Sequence, residues 1–191
     1  TILDAVGLKA PKEASGKSLL PLFRKPDMNF REYLFTEKDA DQVDLYFPRR
    51  AVRDKQYKLI YNLLDDRQNP VAKAYTGNDN RVGALGGSPS LKELENAPDT
   101  VRALYQAWIN PPKMQLYDLI NDPHEFKDLA ADPKYTEVKN RLLKALQSWQ
   151  DETDDPLRFP EKLKKLTAEH DTMKLSKNMV WHYPEYLYGK K

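Results

Sequence analysis

The stretch PKMQLYDLINDPHEFKDLAADPKY, residues 112–135, decides the fold. It opens with the strand-like run QLYDL at 115–119 and continues with Asn-Asp-Pro at 121–123, three residues that favour a tight turn. It closes with Asp-Pro at 132–133, where an aspartate can cap a helix whose first residue is proline. This order predicts that the last strand of a sheet turns into a packing helix, with Leu129 beneath the helix start.

A periodic apolar stripe follows this helix start. Its members recur at helical spacing and are Tyr135, Val138, Leu142, Leu146 and Trp149. The spacing predicts a helix over 133–150 with one apolar face. Because such a face needs a surface to cover, we expect this helix to pack on the sheet.

Two further segments read as strands. The run REYLFTE at 31–37 alternates aromatic and polar residues, and RRAVRDKQYKLIYNL at 49–63 contains two strand-like runs that meet at 54–55. The second of these runs places Tyr57, Leu59 and Tyr61 on one face. The predicted fold class is α+β: a small antiparallel sheet of three to four strands, packed by a long C-terminal helix.

The remaining segments carry weaker signals. Residues 65–90 are rich in Asp, Asn, Gly and Pro, which predicts a loop. The pair Ser90 and Glu93 has the spacing of a capping box, and a second helical run follows Pro98. We expect the tail, 156–191, to wrap over the surface around one short helix at 160–169.

Composition excludes several classes of function. The 191 residues include 31 Lys and Arg against 29 Asp and Glu, so the net charge of +2 gives no general attraction to nucleic acid. The absence of cysteine excludes disulfides, cysteine-ligated zinc and a cysteine nucleophile in this chain. The sequence also contains no apolar run long enough to be a transmembrane helix.

The sequence offers little of the machinery of an ordinary hydrolase. His124, His170 and His182 are far apart and lack the spacing of a metal-binding motif, so we interpret them as ordinary surface or partly buried histidines. The glycines of ALGGSPS, 84–90, lack the Lys-Ser/Thr of a phosphate loop and are typical of a turn.

Three segments together resemble the C-terminal part of the type I sulfatases: 1–23, RRAVRDKQYKLIYN and QLYDLINDPHEFKDLAADPKY. Within that family the chain is most similar to the sulfamidase branch, the N-sulfoglucosamine sulfohydrolases that act on heparan sulfate. The more specific motif here is WQDETDDP, 149–156, which in that branch closes the long helix.

The resemblance implies a catalytic apparatus that this chain lacks. Type I sulfatases use a formylglycine, made in a Cys/Ser-x-Pro-Ser-Arg motif, and a calcium ion held by Asp and Asn. Ser88-Pro89-Ser90 lies between Gly87 and Leu91 and therefore fails the motif at both ends. With the missing initial methionine, this leads us to expect an inactive C-terminal fragment, detached from an alkaline-phosphatase-like α/β catalytic domain, with neither nucleophile nor metal site.

The expected organisation follows from the same resemblance. Residues 1–26 would be the trailing segment of the lost catalytic domain, 27–155 the C-terminal subdomain and 156–191 the tail. The apolar residues of 1–23 would then be an orphan surface. Expected partners are the missing catalytic domain and a sulfated glycosaminoglycan, with no nucleic acid and no membrane. The expected location is periplasmic or extracellular in a bacterium and lysosomal in an animal.

Loops of this subdomain rim the substrate pocket in the family, which makes FTEKDADQVDLYFP, 35–48, the candidate. Lys38 would pair with a sulfate or uronate, and Glu37, Asp39 and Gln42 would bind sugar hydroxyls or an amine. The alternative is a solvated loop.

Three arginines alternate along the following strand-like run: Arg49, Arg50 and Arg53. We interpret them as salt-bridge partners on its exposed face rather than as substrate ligands.

Two alternative functions stay open. The parent would be an O-sulfatase of the same fold, such as a glucosamine-6-sulfatase or an arylsulfatase, rather than an N-sulfoglucosamine sulfohydrolase. From another class, the chain would be a stand-alone carbohydrate-binding module that binds heparin in a salt-dependent way.

Overall fold

The computed structural model describes residues 1–12, 14, 16–40, 42–76, 89–173 and 182–188. Its contacts group the chain into two compact units, Thr1–Glu32 and Tyr33–Lys191. The predicted segments 1–26, 27–155 and 156–191 rest on the family resemblance and stay predictions. Within the described part of the chain, no helix combines the length and apolarity needed to cross a bilayer.

The second unit is built on a four-stranded antiparallel sheet of order β1-β2-β3-β4. Its strands are β1 Leu34–Ala40, β2 Tyr46–Arg53, β3 Tyr57–Asn62 and β4 Met114–Asp118. The turn between β2 and β3 forms at Asp54, whose Oδ1 accepts hydrogen bonds from the backbone N–H groups of Gln56 and Tyr57 at 2.8 and 2.6 Å. The predicted sheet is confirmed, although β1 begins at Leu34 rather than at residue 31.

One long helix covers one face of this sheet. Asp132 accepts a hydrogen bond from the backbone of Lys134, a 3-10 helix spans Pro133–Tyr135, and helix α6 follows at Thr136–Glu152. Its apolar stripe packs on the inward residues of the sheet, and the buried members of this core are Val52, Leu59, Leu116, Leu129, Leu142 and Leu146. The predicted α+β fold is therefore confirmed, with its core between helix and sheet.

The other helices are short. They are α1 Ile2–Ala5, α2 Leu20–Arg24, α3 Pro70–Thr76, α4 Leu91–Glu95, α5 Asp99–Ile109 and α7 Pro160–Thr172, with 3-10 helices at Pro156–Arg158 and Glu185–Leu187. Helix α4 starts with the predicted capping box, in which Ser90 and Glu93 each accept a hydrogen bond from the other's backbone.

The predicted loop over 65–90 is wrong at α3. Asn69 Oδ1 accepts a hydrogen bond from Val71 N at 3.1 Å, and Pro70 occupies the first turn, so the polar Asn-Pro pair begins a helix instead of a loop. Val71 and Ala74 are buried with Leu45 against Trp108. Residues 77–88, which include most of ALGGSPS and Ser88, lie outside the described residues.

A second core cluster joins the tail to the end of the sheet. Its buried members are Tyr46, Phe47, Leu63, Leu64, Leu157, Leu166 and Leu187. The helix predicted at 160–169 is confirmed by α7. The described part of the tail thus supplies three buried leucines, each of which contributes about 1.5–3 kcal/mol by leaving water.

The first unit differs from the second in the burial of its apolar residues. Helices α1 and α2 contain no buried residue. Several of its apolar side chains are exposed, namely Ile2, Val6, Leu8 and Phe23. Its two halves are joined by a hydrogen bond from Leu19 N to Thr1 Oγ1 at 2.8 Å.

Candidate functional site

The four predicted rim residues lie at the end of β1, but they do not share one environment. Glu37 is largely exposed, with 63% of its side chain accessible, whereas only 15% of the Asp39 side chain is accessible. Lys38 is half-buried. Gln42 follows the strand, and its Oε1 is buried with no hydrogen-bond partner in the described residues.

Asp39 lies on the same face of the sheet as Arg50. Glu37 pairs with Arg50 in the register of β1 with β2, and Asp39 is two residues further along β1, where the pairing shifts between Lys38 and Ala40. Arg50 Nη1 donates to Asp39 Oδ1 at 2.7 Å.

Arg50 is the centre of a buried polar network, so its interpretation as an arginine on an exposed strand face is wrong. Only 1% of the residue is exposed. Its Nε donates to Asp155 Oδ2 at 2.8 Å and its Nη2 to Asp155 Oδ1 at 2.9 Å. Burial opposes the charge on Arg50, but Asp155 and Asp39 outweigh it and hold its pKa above the ordinary value.

Asp155 receives further hydrogen bonds from its own neighbourhood. Gln150 Nε2 donates to Asp155 Oδ2 at 2.8 Å, and Leu157 N donates to Oδ1 at 3.1 Å. Burial raises the pKa of this carboxyl, but the hydrogen bonds from Arg50 and Gln150 outweigh it, and the pKa lies below its usual range. The motif WQDETDDP thus provides the polar residues that hold Arg50.

The tail returns to the same place through Tyr183. Its hydroxyl donates to Asp39 Oδ2 at 2.9 Å. Burial and the nearby Asp39 carboxylate both raise the pKa of Tyr183 above its ordinary value, so the phenol keeps its proton. Asp39 is therefore held from two sides, and its role in this structure is to fix the end of β1.

Two of the rim residues line a cleft on the sheet. Glu37 and Lys38 border a cavity of about 430 Å³ together with Thr36, Arg49 and Lys58. Asp39 and Gln42 lie outside its lining. The cleft therefore brings Glu37 and Lys38 together, and Glu37 Oε2 also lies 3.9 Å from the Nε of Arg50, the residue that binds Asp39.

The histidines have structural environments. His170 is buried, its ring stacks on Tyr46 with centroids 4.1 Å apart, and its Nδ1 lies 2.8 Å from the carbonyl oxygen of Val43. His124 stacks on Phe126, and His182 is exposed.

The donor set for a metal ion is also missing from the part of the chain that the structure describes. No group of three or more His, Cys, Asp or Glu side chains there could hold a metal ion.

The alternation of buried and more exposed positions along β2 distinguishes Arg50 from the other two arginines. Arg50 and Val52 have the parity of the buried face, whereas Arg49, Ala51 and Arg53 have the opposite parity. Sequence reasoning grouped the three arginines and missed Arg50 as a buried centre. It also missed Thr36 and Lys58 as residues of the cleft.

Comparison with known proteins relates the chain to enzymes that act on sulfated compounds. No family model matches it. An ulvan-active sulfatase of Formosa agariphila is 30% identical over 151 residues, which cover 78% of this chain and 27% of that protein. Human N-sulphoglucosamine sulphohydrolase is 26% identical over 165 residues, covering 82% of this chain and 32% of the relative. Over about four fifths of its length, the chain is homologous to part of these sulfatases.

Solved sulfatase structures share its fold. A 2-O GAG sulfatase superposes with a TM-score of 0.52 at 20% identity, covering 83% of this chain and 24% of the other. A protein solved with its substrate D-glucosamine-2-N,6-O-disulfate gives a TM-score of 0.51 at 16% identity, with coverage of 81% and 23%. The fold is that of the sulfatase C-terminal subdomain, and the chain spans about a quarter to a third of the length of these relatives.

Proposed function

We propose that this chain is the C-terminal subdomain of a sulfatase that removes sulfate from a sulfated glycosaminoglycan, with N-sulfoglucosamine of heparan sulfate or heparin as the leading substrate. The observation that supports it is the 26% identity to human N-sulphoglucosamine sulphohydrolase over 82% of the chain. The buried Arg50 network adds a structural reason, because the residues of WQDETDDP that carry the resemblance to that branch hold it together.

We assign different roles to this chain and to the catalytic domain of the proposed parent. The proposed parent supplies formylglycine and Ca²⁺ from its catalytic domain. This chain contributes a rigid rim: Asp39 is fixed by Arg50 and Tyr183, while Glu37 and Lys38 border the adjacent cleft. Cationic side chains at such a rim bind the anionic groups of a saccharide and orient it, without taking part in bond cleavage.

An O-sulfatase is the second candidate, and specific relatives favour it. Two ulvan-active sulfatases match the chain at 30% and 27% identity. The solved structures that share the fold include a 2-O GAG sulfatase. Both candidates assign the same role to this subdomain and differ in the sulfated group that the parent hydrolyses.

A direct assay separates the two candidates. We would express the full parent protein, incubate it with N-sulfoglucosamine and with glucosamine 6-sulfate, and measure the sulfate released from each. The proposal expects release from N-sulfoglucosamine, and release only from the 6-sulfate favours the O-sulfatase. A parent variant without the formylglycine precursor is the matched control and is expected to be inactive. Release of sulfate by the 191-residue chain alone would contradict the division of labour.

The proposed location follows from the proposed substrate. Sulfated polysaccharides lie outside the cytoplasm, so we place the parent in the periplasm or the extracellular space of a bacterium, or in the lysosome of an animal. Fractionation with an antibody against residues of this chain would test it, and a signal confined to the cytoplasm would contradict it.

A further inference from the structure

The sheet has a second face, opposite to α6, with a different composition. The register pairs Thr36 with Ala51 and Ala51 with Ile60, so these three residues form one row across β1, β2 and β3. The same alternation places Arg49 and Lys58 on this face, on either side of that row. This face therefore presents four cations, Lys38, Arg49, Arg53 and Lys58, around a small floor of a threonine, an alanine and an isoleucine.

These side chains surround a concave space. The cleft of about 430 Å³ is lined by residues that include Thr36, Lys38, Arg49, Lys58, Ile60 and Glu125. Its size is within the range of pockets that hold small ligands. A pyranose ring can rest on an apolar floor while cations and hydroxyls at the edge bind its substituents.

Among the residues that line the cleft, Arg49 gives the strongest indication that the cleft binds a ligand. It is half-buried on the central strand β2. Among the described residues its guanidinium has no carboxylate within ion-pair distance and lies over no aromatic ring, whereas its neighbour Arg50 is paired with two aspartates. A partly desolvated guanidinium without an acceptor is unfavourable, and two oxygens of a sulfate or carboxylate group match its paired donors.

The opposite wall of the cleft is made by an ion pair. Lys58 Nζ lies 2.8 Å from both carboxylate oxygens of Glu125. Glu125 has φ of 59°, a left-handed conformation that is unfavourable for a residue with a side chain. The turn after β4 therefore holds a carboxylate against Lys58, where it partly neutralises the cation and repels an incoming anion.

We propose that this cleft binds a sulfate or carboxylate group of a sulfated saccharide, with Arg49 as the principal ligand. Arg49 forms a two-point ion pair with the anionic group, Thr36 donates a hydrogen bond from its hydroxyl, and the ring rests on Ala51 and Ile60. Lys58 contributes a second positive charge that Glu125 moderates. The saccharide class rests on the proposed function, whereas the anion site rests on the contacts of this chain.

The chain offers a matched control for the test. Arg53 lies on the same strand and the same face as Arg49 but outside the lining of the cleft. Arg49→Ala and Arg53→Ala therefore remove the same charge from the same face. A diffuse electrostatic attraction would be weakened equally by both, and a defined site only by Arg49→Ala.

The experiment is a calorimetric or NMR titration of the 191-residue chain with an N-sulfated heparin disaccharide, with inorganic sulfate alone and with the unsulfated disaccharide. We expect binding of the sulfated sugar, a loss of about ten-fold or more in Arg49→Ala and less than about two-fold in Arg53→Ala. Glu125→Gln is expected to tighten binding about two- to five-fold, because it removes a repelling charge. Thermal unfolding of each variant checks that the fold is intact.

The outcomes separate this proposal from the proposed function. Equal losses in the two arginine variants, or no binding by the wild-type chain, overturn the site. Binding of inorganic sulfate with the same affinity as the disaccharide overturns the saccharide class. If the site behaves as expected but the parent releases sulfate from no sugar, the proposed function fails and the anion site stands.

Discussion

Arg50 on β2 and Asp155 beyond the end of α6 form a buried two-point ion pair, although 105 residues separate them in sequence. The pair joins the sheet to the segment that leads into α7. Two charges that leave water together are costly, and this cost is offset only when geometry is good and the other polar atoms are satisfied. Gln150 and Leu157 satisfy the remaining acceptor positions of Asp155. The pair is therefore a point at which a single substitution has a large effect.

Removal of the acid from this pair should be strongly destabilising. Asp155→Asn leaves Arg50 buried with Asp39 as its close partner, and we expect the free energy of unfolding to fall by about 3 kcal/mol. Urea denaturation followed by circular dichroism measures it. Replacing both residues, Arg50→Met with Asp155→Asn, should cost less than the sum of the single changes, because neither member of the pair is then left charged without the other, and Asp39 keeps the hydrogen bond from Tyr183.

A neighbouring aspartate provides the control for this prediction. Asp151 lies at the end of the same helix, is 74% exposed and pairs with Arg158 at 3.5 Å. Exposed pairs contribute little, so Asp151→Asn should change the free energy of unfolding by less than about 0.5 kcal/mol. If the two asparagine variants were equally stable, the buried pair would not have the role assigned to it.

The same pair predicts how stability depends on pH. The folded-state pKa of Asp155 lies below its ordinary value, so the unfolded chain binds the proton more readily than the folded one. Its contribution is fully present above the unfolded pKa of about 4 and is lost as the pH falls through the folded pKa. Urea unfolding at pH values from about 6 down to about 2.5 should show this loss. Asp155→Asn should flatten the curve, and an equally steep curve would exclude Asp155 as a source.

The sequence predicted those elements whose residues carry their own local signals. The helix from Asp132 has a cap, a proline at its start and an apolar stripe, and the strand pattern of 57–61 separates a buried from an exposed face. Those signals act over a few residues and do not depend on the rest of the fold. Helix and sheet were accordingly found close to their true bounds.

The sequence did not predict those structural features that depend on contacts between residues far apart in the chain. Helix α3 lies in a polar stretch of the sequence. It is stabilised because Leu45 and Trp108 pack against its Val71 and Ala74. In the sequence, Arg50 looks like Arg49 and Arg53. Only the fold brings Asp155, 105 residues away, into contact with it. The rim residues illustrate the same limit, because Asp39 is held by Arg50 and by Tyr183 from the distant tail, while Glu37 and Lys38 line the cleft.

The hydrogen bond from Tyr183 to Asp39 should hold the tail against the end of β1. Tyr183→Phe removes the hydroxyl and keeps the ring, so we expect a loss of about 1 kcal/mol in the free energy of unfolding. Amide hydrogen exchange in residues 182–188 should become faster. Tyr188→Phe is the comparison, since it changes a nearby exposed tyrosine, and it should leave exchange unaltered. Identical exchange in wild type and Tyr183→Phe would contradict the role of this bond.

The contact between α6 and the sheet should dominate the stability of the second unit. Leu142 is 0% exposed and packs in the core with Val52, Leu59 and Leu116. Leu142→Ala removes buried methyl groups and leaves a cavity between rigid elements, so the free energy of unfolding should fall by about 2–5 kcal/mol in urea denaturation. Lys144→Ala alters an exposed position two residues further along the same helix and should change it by less than about 0.5 kcal/mol. A loss below about 1 kcal/mol for Leu142→Ala would mean that the helix and sheet do not form one close-packed core, because only a loosely packed site refills without cost.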